Sequence, residues 1–132
     1  MINGIIYVSE EDMKEVKRNL KQDDKTYIAE IDGEQCPYAK DYLKLISDLL
    51  QFPMKAKGLD GYNDWMRDLS WINKDQIIII INKFLQFLEK DIPSKEAVLE
   101  DFSEVILPWW EAEVIDCMVG GKTKKVSVYL VH

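Results

Sequence analysis

"NKDQIIIIINKF", residues 73–84, carries five consecutive isoleucines at 77–81 with polar residues only at its ends. A strand with one face in water alternates apolar and polar residues, whereas a strand covered on both faces reads as an unbroken β-branched run. The run therefore predicts a central parallel strand. Parallel neighbours need long crossover connections, usually helical, and the flanking sequence supplies both kinds of element. "TYIAEID" at 26–32 alternates as a strand and stops at Gly33. The last run reads as a strand from about Lys125 to Val131, and Ile5–Val8 as a short one.

Between these runs lie helical patterns. Ser9 followed by Asp12 resembles a capping box and opens a helix through about Leu20, with Met13, Val16 and Leu20 as its inner face. "QDDK" at 22–25 is a polar turn. Pro37 opens a pattern in which Tyr38, Tyr42, Leu45, Ile46, Leu49 and Leu50 recur at helical spacing until Pro53 stops it. "LDGYNDWMRDLSW", 59–71, predicts a helix over about 59–69. After the isoleucines, "KFLQFLEK" predicts a short helix and Pro93 a break; Ser94 then caps "KEAVLEDFSEVIL", with Val98, Phe102, Val105 and Ile106 as an apolar stripe. Residues 108–119 read two ways: Trp110, Val114 and Met118 fit a helix, while Gly120-Gly121 before the last strand suits a hairpin. Strands alternating with helices indicate an α/β domain with a largely parallel sheet.

At 132 residues, 47% of them hydrophobic, the chain is long enough for one sizeable core, so a single globular domain is expected over 1–132. Twenty-four acidic against 17 basic residues give a formal charge of −7. That balance argues against nucleic acid and anionic membranes, which are bound through concentrated Lys and Arg, and favours a basic partner. The N-terminus turns acidic after Val8, unlike a signal peptide, and no apolar run approaches a membrane span. A soluble, cytoplasmic protein is the expectation. Cys36 and Cys117 are too few and too far apart for a disulfide scaffold or zinc site, and read as reduced, buried small hydrophobes.

The sole histidine is His132, which leaves histidine-based acid–base chemistry, nucleophilic triads and imidazole ligation without material. "VGGKTKK" lacks the spacing of a phosphate-binding loop and precedes a strand, so it reads as a basic turn, and no cofactor is expected. Carboxylates are the abundant functional group. At about 100° per residue, Asp60, Asp64 and Asp68 share one face of the 59–69 helix, opposite Leu59, Tyr62, Trp65, Met66 and Leu69. Such a ridge is an ordinary solvated face, a pair of oxygen ligands for a hard cation, or bait for a basic protein. Trp65, Trp71, Trp109 and Trp110 read as core or core-edge residues, and as interface anchors where exposed.

Three segments together resemble the barstar family, intracellular inhibitors of secreted bacterial guanyl-specific ribonucleases. "YIAEIDGEQ" resembles the family's opening strand and turn; "LDGYNDWMRDLSW" is similar to its signature helix, with Asp60, Asp64, Arg67, Asp68, Leu69 and Trp71 in register; "VLEDFSEV" resembles its late helix. The likeness covers roughly 26–106 and the final strand. It implies a two-layer α/β fold, a small mostly parallel sheet of three or four strands with about four helices, in which 26–132 is the core and 1–25 an added βα unit. It further implies no catalysis: an immunity protein, monomeric when free, that covers the active site of a secreted ribonuclease or related toxin. Asp64 would be the central aspartate, Asp60 its neighbour at the loop end and Glu104 a flanking partner, with Asn63, Lys55 and Lys57 on the same surface. The chain departs from the family in "PMKAKG", one residue shorter than the usual loop, where Lys55 and Lys57 replace neutral contacts and Gly58 replaces an asparagine. Gly61 and Trp65 stand where Ala and Cys are usual. Two other readings stay open: a carboxylate-dependent metal enzyme using Asp60 and Asp64, with Glu104 as a further ligand, and an interaction module whose lysines meet acidic groups on a non-ribonuclease partner.

Overall fold

Four parallel strands, β1 (Gly4–Val8), β2 (Thr26–Asp32), β3 (Gln76–Asn82) and β4 (Lys125–Val131), form one sheet in the order β1-β4-β3-β2. These are the coordinates of a computed structural model that describes residues 3–20 and 23–132. Of the turn expected at 22–25, Gln22 lies outside the described residues; Asp23 accepts from the Lys25 N–H and the Thr26 hydroxyl there, which hold its carboxyl below the usual range.

Chain order dictates which face each helix covers. The connection from β1 spans the whole sheet to β2 through α1 (Glu10–Leu20), and the chain then returns strand by strand through β3 to β4. Right-handed crossovers that run in opposite directions must lie on opposite faces. Accordingly α1 buries Met13 and Leu20 against Ile78, Ile80, Tyr129 and Val131, while Ile77, Ile79 and Ile81 point into the larger core on the other side. All five isoleucines are fully buried, each contributing about 1.5–3 kcal/mol of transfer free energy. The Ser9 hydroxyl accepts from the Asp12 N–H at 3.1 Å and caps α1.

The larger core is roofed by α2 (Ala39–Leu49), α3 (Leu59–Met66), α4 (Ile92–Asp101) and a helical continuation that ends in α5 (Val114–Cys117). Tyr42, Ile46 and Leu50 form the buried stripe of α2 as expected, but Tyr38 stands outside it, exposed at the helix start, where its N–H donates to the Asp41 carboxylate at 3.0 Å.

Local sequence signals departed from the structure at four other places. "KFLQFLEK" forms only a 3-10 turn at Phe84–Gln86, because Lys83 and Leu88 adopt positive φ and the Leu88 and Lys90 N–H groups donate to Cys36 and Pro37 instead of up a helix. α4 starts before Ser94: Asp91 is its cap, accepting from the Ser94 N–H at 3.3 Å, and Pro93 sits in the first turn, where a missing N–H costs nothing. Residues 102–117 stay helical but widen into π segments at Phe102–Ile106 and Trp109–Glu113, which bracket Pro108. The helical reading of 109–117 holds and the hairpin reading does not. Cys36 is buried, its thiol pushed up to about 11 by desolvation and then by Asp41 and Asp32, whereas Cys117, expected in the core, is exposed near the end of α5.

Candidate functional site

α3 is the element on which the acidic residues meet, and its ends are set by neighbours. Gly58 is its N-cap and offers no side-chain acceptor; Asp60 in the first turn instead complements the helix dipole. The preceding loop is pinned by the Ala56 N–H, which donates to Ser47 Oγ at 3.1 Å, while the Ser47 hydroxyl donates to Leu43 O at 2.6 Å. The helix stops three residues before 69. Arg67 is the C-cap and Leu69 turns to φ 47°, which buries its side chain and redirects the chain toward Trp71.

That early stop corrects the ridge. Asp60 and Asp64 share a helical face, but Asp68 lies in the following turn, where its carboxylate accepts from the Ser70 N–H at 3.3 Å. All three are exposed. Asp64 is not a free carboxylate: Arg67 Nη2 donates to its Oδ1 at 2.9 Å, and the same guanidinium sits 5.9 Å over the Trp109 ring. The i,i+3 spacing of Asp64 and Arg67 is the signal in the sequence from which this pair was readable.

Below the acidic face α3 is rigidly held. Tyr62 is fully buried, its hydroxyl 2.6 Å from that of Tyr42, with the rings packed edge to face. Burial drives both phenols well above their ordinary pKa, so the pair is neutral. Trp71 Nε1 donates to Leu50 O and Trp110 Nε1 to Met66 O, each at 2.7 Å, tying the end of the helix to α2 and to the π segment. A carboxylate on such a support loses little freedom when it is bound.

The other predicted residues distribute around this helix. Glu104 is exposed on the Phe102–Ile106 segment, which packs against α3. Asn63 is half-buried with Oδ1 unpartnered among the described residues. Lys55 and Lys57 are exposed on the loop, and Lys55 Nζ lies 3.8 Å from Asp48 on α2, which draws its charge away from the ridge. No three His, Cys, Asp or Glu side chains group as a metal-binding cluster among the described residues, so Asp60 and Asp64 find no third ligand.

Sequence reasoning missed a groove of about 570 Å³ beside α3. Asp64, Arg67 and Asp68 form one wall, and Trp109, Val114, Met118 and Val119 the apolar other side. A larger hollow of about 740 Å³ lies at the start of the strands, but Lys124 there already donates to Ile72 O and Lys74 O.

The exposed acidic start of α3 and the exposed Glu104 thus lie on neighbouring helical segments, with α3 supported from beneath. A scan of family models matched the one described as Barstar (barnase inhibitor) over residues 26–122. The chain belongs to the Barstar family. The comparisons with curated proteins and with solved structures returned no match. The Barstar match begins at the first residue of β2 and ends before β4, so β1, α1 and β4 all lie outside it. It includes α3, Glu104 and the segment that forms the groove. No helix among the described residues is long and apolar enough to cross a membrane.

Proposed function

We propose that this protein is a non-enzymatic, cytoplasmic inhibitor that covers the basic active site of a secreted ribonuclease of the barnase type, or of a related toxin, with the exposed face of α3. The observation that carries this reading is Asp60 and Asp64 side by side on a rigidly supported helix in a chain of the Barstar family. Asp64 acts as the central acceptor, with one oxygen held by Arg67 and the other open to a cation of the enzyme. Asp60 lies one turn nearer the loop, Glu104 flanks the face, and Asn63, Lys55 and Lys57 complete the contact surface. The formal charge of −7 accelerates encounter with a basic enzyme.

The test is titration of purified guanyl-specific ribonucleases, reading RNA cleavage and binding at low and physiological salt. Inhibition that weakens with salt, and that Asp64→Ala reduces about tenfold or more, supports the proposal. Undiminished cleavage with no binding at low salt rejects this partner class.

Lys55 and Lys57 favour a second reading with the same surface. A partner of mixed charge, with acidic groups opposite the loop and basic groups opposite α3, would meet the lysines without repulsion. Replacing both lysines by Ala separates the readings, since it strengthens a basic ribonuclease and weakens a mixed-charge partner.

A further inference from the structure

We infer that the outer edge of β1 is a self-association site, at which a second copy of this chain adds its own β1 antiparallel about a two-fold axis through Ile6. The inference rests on β1 alone and stands apart from the reading of α3.

β1 ends the sheet, and among the described residues no strand pairs with its outer side. Its bonds to β4 tell the two sides apart. The His132 N–H donates to Val8 O at 3.1 Å, while the Asn3 side chain accepts from the Val126 N–H at 2.9 Å and donates to Lys124 O at 3.2 Å. β4 thus turns its even-numbered residues toward β1, and β1 turns Gly4, Ile6 and Val8 toward β4. The N–H and C=O of one strand residue point to the same side and those of the next residue to the other, so Ile5 and Tyr7 present both groups outward.

Open edges are ordinarily blunted with charge, proline or a bulge. The opposite edge follows that rule, because β2 carries Glu30 and Asp32. β1 does not. Its sequence GIIYV keeps an unbroken register with β4. No side chain from Asn3 to Ser9 is charged, so two copies meet without like charges across the seam.

The symmetry of the edge selects a second copy as its occupant. The outward groups belong to the two residues that flank Ile6, and a two-fold axis there sets Ile5 opposite Tyr7 of the second copy and Tyr7 opposite its Ile5. Antiparallel pairs of this kind exchange both backbone bonds, so no outward N–H or C=O of Ile5 or Tyr7 is left over. The side chains fit the same register. Ile5 is half-buried, whereas Tyr7 is 63% exposed with its ring held edge-on to Phe84 at 6.0 Å. Each Tyr7 therefore covers the other copy's Ile5, an aromatic and β-branched pair that stabilises antiparallel strands. On the other face Ile6 meets itself. The monomer implied by the family likeness speaks for the Barstar core, and β1 precedes the matched residues 26–122.

The experiment measures the mass of the full chain by sedimentation equilibrium from micromolar to millimolar concentration, for the wild type and for Tyr7→Pro. Proline at 7 removes an N–H that faces water in the single chain, so the ladder to β4 keeps its bonds. A wild-type dimer whose dissociation constant Tyr7→Pro raises at least about tenfold, with cooperative thermal unfolding retained, supports the inference. A wild type that stays monomeric overturns it, even where another protein adds a strand there, and so does a dimer indifferent to the substitution. If Tyr7→Pro does not fold, Tyr7→Lys at the same exposed position takes its place, with the same outcomes. Oxidation in a Cys117→Ser background reads the register separately. The axis brings the two Ile6 Cα atoms to about 4.5 Å, within disulfide reach, and leaves the two Tyr7 positions too far apart. Ile6→Cys is expected to cross-link at least about fivefold faster than Tyr7→Cys. The reverse order, which exposure alone dictates, overturns the inference.

Discussion

Arg67 Nη2 lies 2.9 Å from Asp64 Oδ1, so the carboxylate proposed to meet a partner's cation is already paired with the C-cap of its own helix. The pair is largely exposed and so contributes little to folding, about 0.2–1 kcal/mol. Its effect on binding is larger, because an arriving cation meets a carboxylate oriented by Arg67 but also half neutralised by it. Arg67→Gln is expected to leave thermal stability nearly unchanged, to make the formal charge of −7 one unit more negative, and to raise the association rate with a basic ribonuclease. Stopped-flow measurements at low and high salt check this, since the gain must shrink as salt rises. A slower association would mean that orientation of Asp64 by Arg67 outweighs the charge it hides.

The buried Tyr42–Tyr62 hydroxyl pair predicts both a coupling and a pH dependence. Either single Phe substitution strands the surviving hydroxyl at a cost of about 1–3 kcal/mol, whereas the double substitution removes both polar groups and costs less than the sum. Burial raises both phenols in the folded state. A raised folded pKa means that stability is fully present below the unfolded pKa, near 10 for tyrosine, and is lost as pH climbs above it. Cys36, pushed up to about 11, acts in the same direction, as do Tyr27 and Tyr129, both raised by burial. Urea denaturation across the alkaline range is expected to show stability falling with pH, with a shallower fall in the Tyr42→Phe/Tyr62→Phe protein.

How much of this was readable in advance depended on whether a residue's partners lay nearby in the chain. The isoleucine run, the last strand and the buried stripe of α2 follow from periodicity alone, because hydrophobic burial is set by the pattern of side chains. "KFLQFLEK" misled because its backbone donors are taken by Cys36 and Pro37 from a distant segment. α3 was read too long because Leu69 gains more by turning into the core at φ 47° than by staying helical. At the candidate site, the shared exposed face of Asp60 and Asp64 was legible from helical spacing. The groove was not, since one wall follows α3 and the other comes from the Met118–Gly121 turn, far along the chain.

Two adjacent tryptophans are expected to respond oppositely to loss of their indole N–H. Trp110 Nε1 donates to Met66 O at 2.7 Å, at the end of α3, while Trp109 Nε1 is buried without a partner among the described residues. Replacement by Phe removes the same volume from each. Trp110→Phe also strands a carbonyl and should cost about 1–2 kcal/mol more than Trp109→Phe, which relieves an unpaired donor. Chemical denaturation of the two variants measures the difference directly. Equal destabilisation would show that packing alone fixes the end of α3.

Gly61 and Gly121 give a final contrast, between a glycine the fold does not require and one it does. Gly61 lies inside α3, and a Cβ there would have no atom within 4 Å, so Gly61→Ala removes only the entropic penalty of glycine in a helix and should stabilise the protein by about 0.5–1 kcal/mol. Gly121→Ala drives a methyl into the Val114 carbonyl, a backbone atom that cannot swing aside, and should destabilise by about 1–3 kcal/mol. The two changes also separate stability from binding. A stiffer α3 in Gly61→Ala presents Asp60 and Asp64 with less freedom to lose, so partner affinity should hold or rise. In Gly121→Ala the Met118–Gly121 turn must move while the Asp60–Asp64 face, on another element, need not, so partner affinity should hold at temperatures where the variant is fully folded. Melting curves of the two variants measure the contrast directly, and an unchanged melting temperature for Gly121→Ala would show that the turn yields to a methyl at no cost.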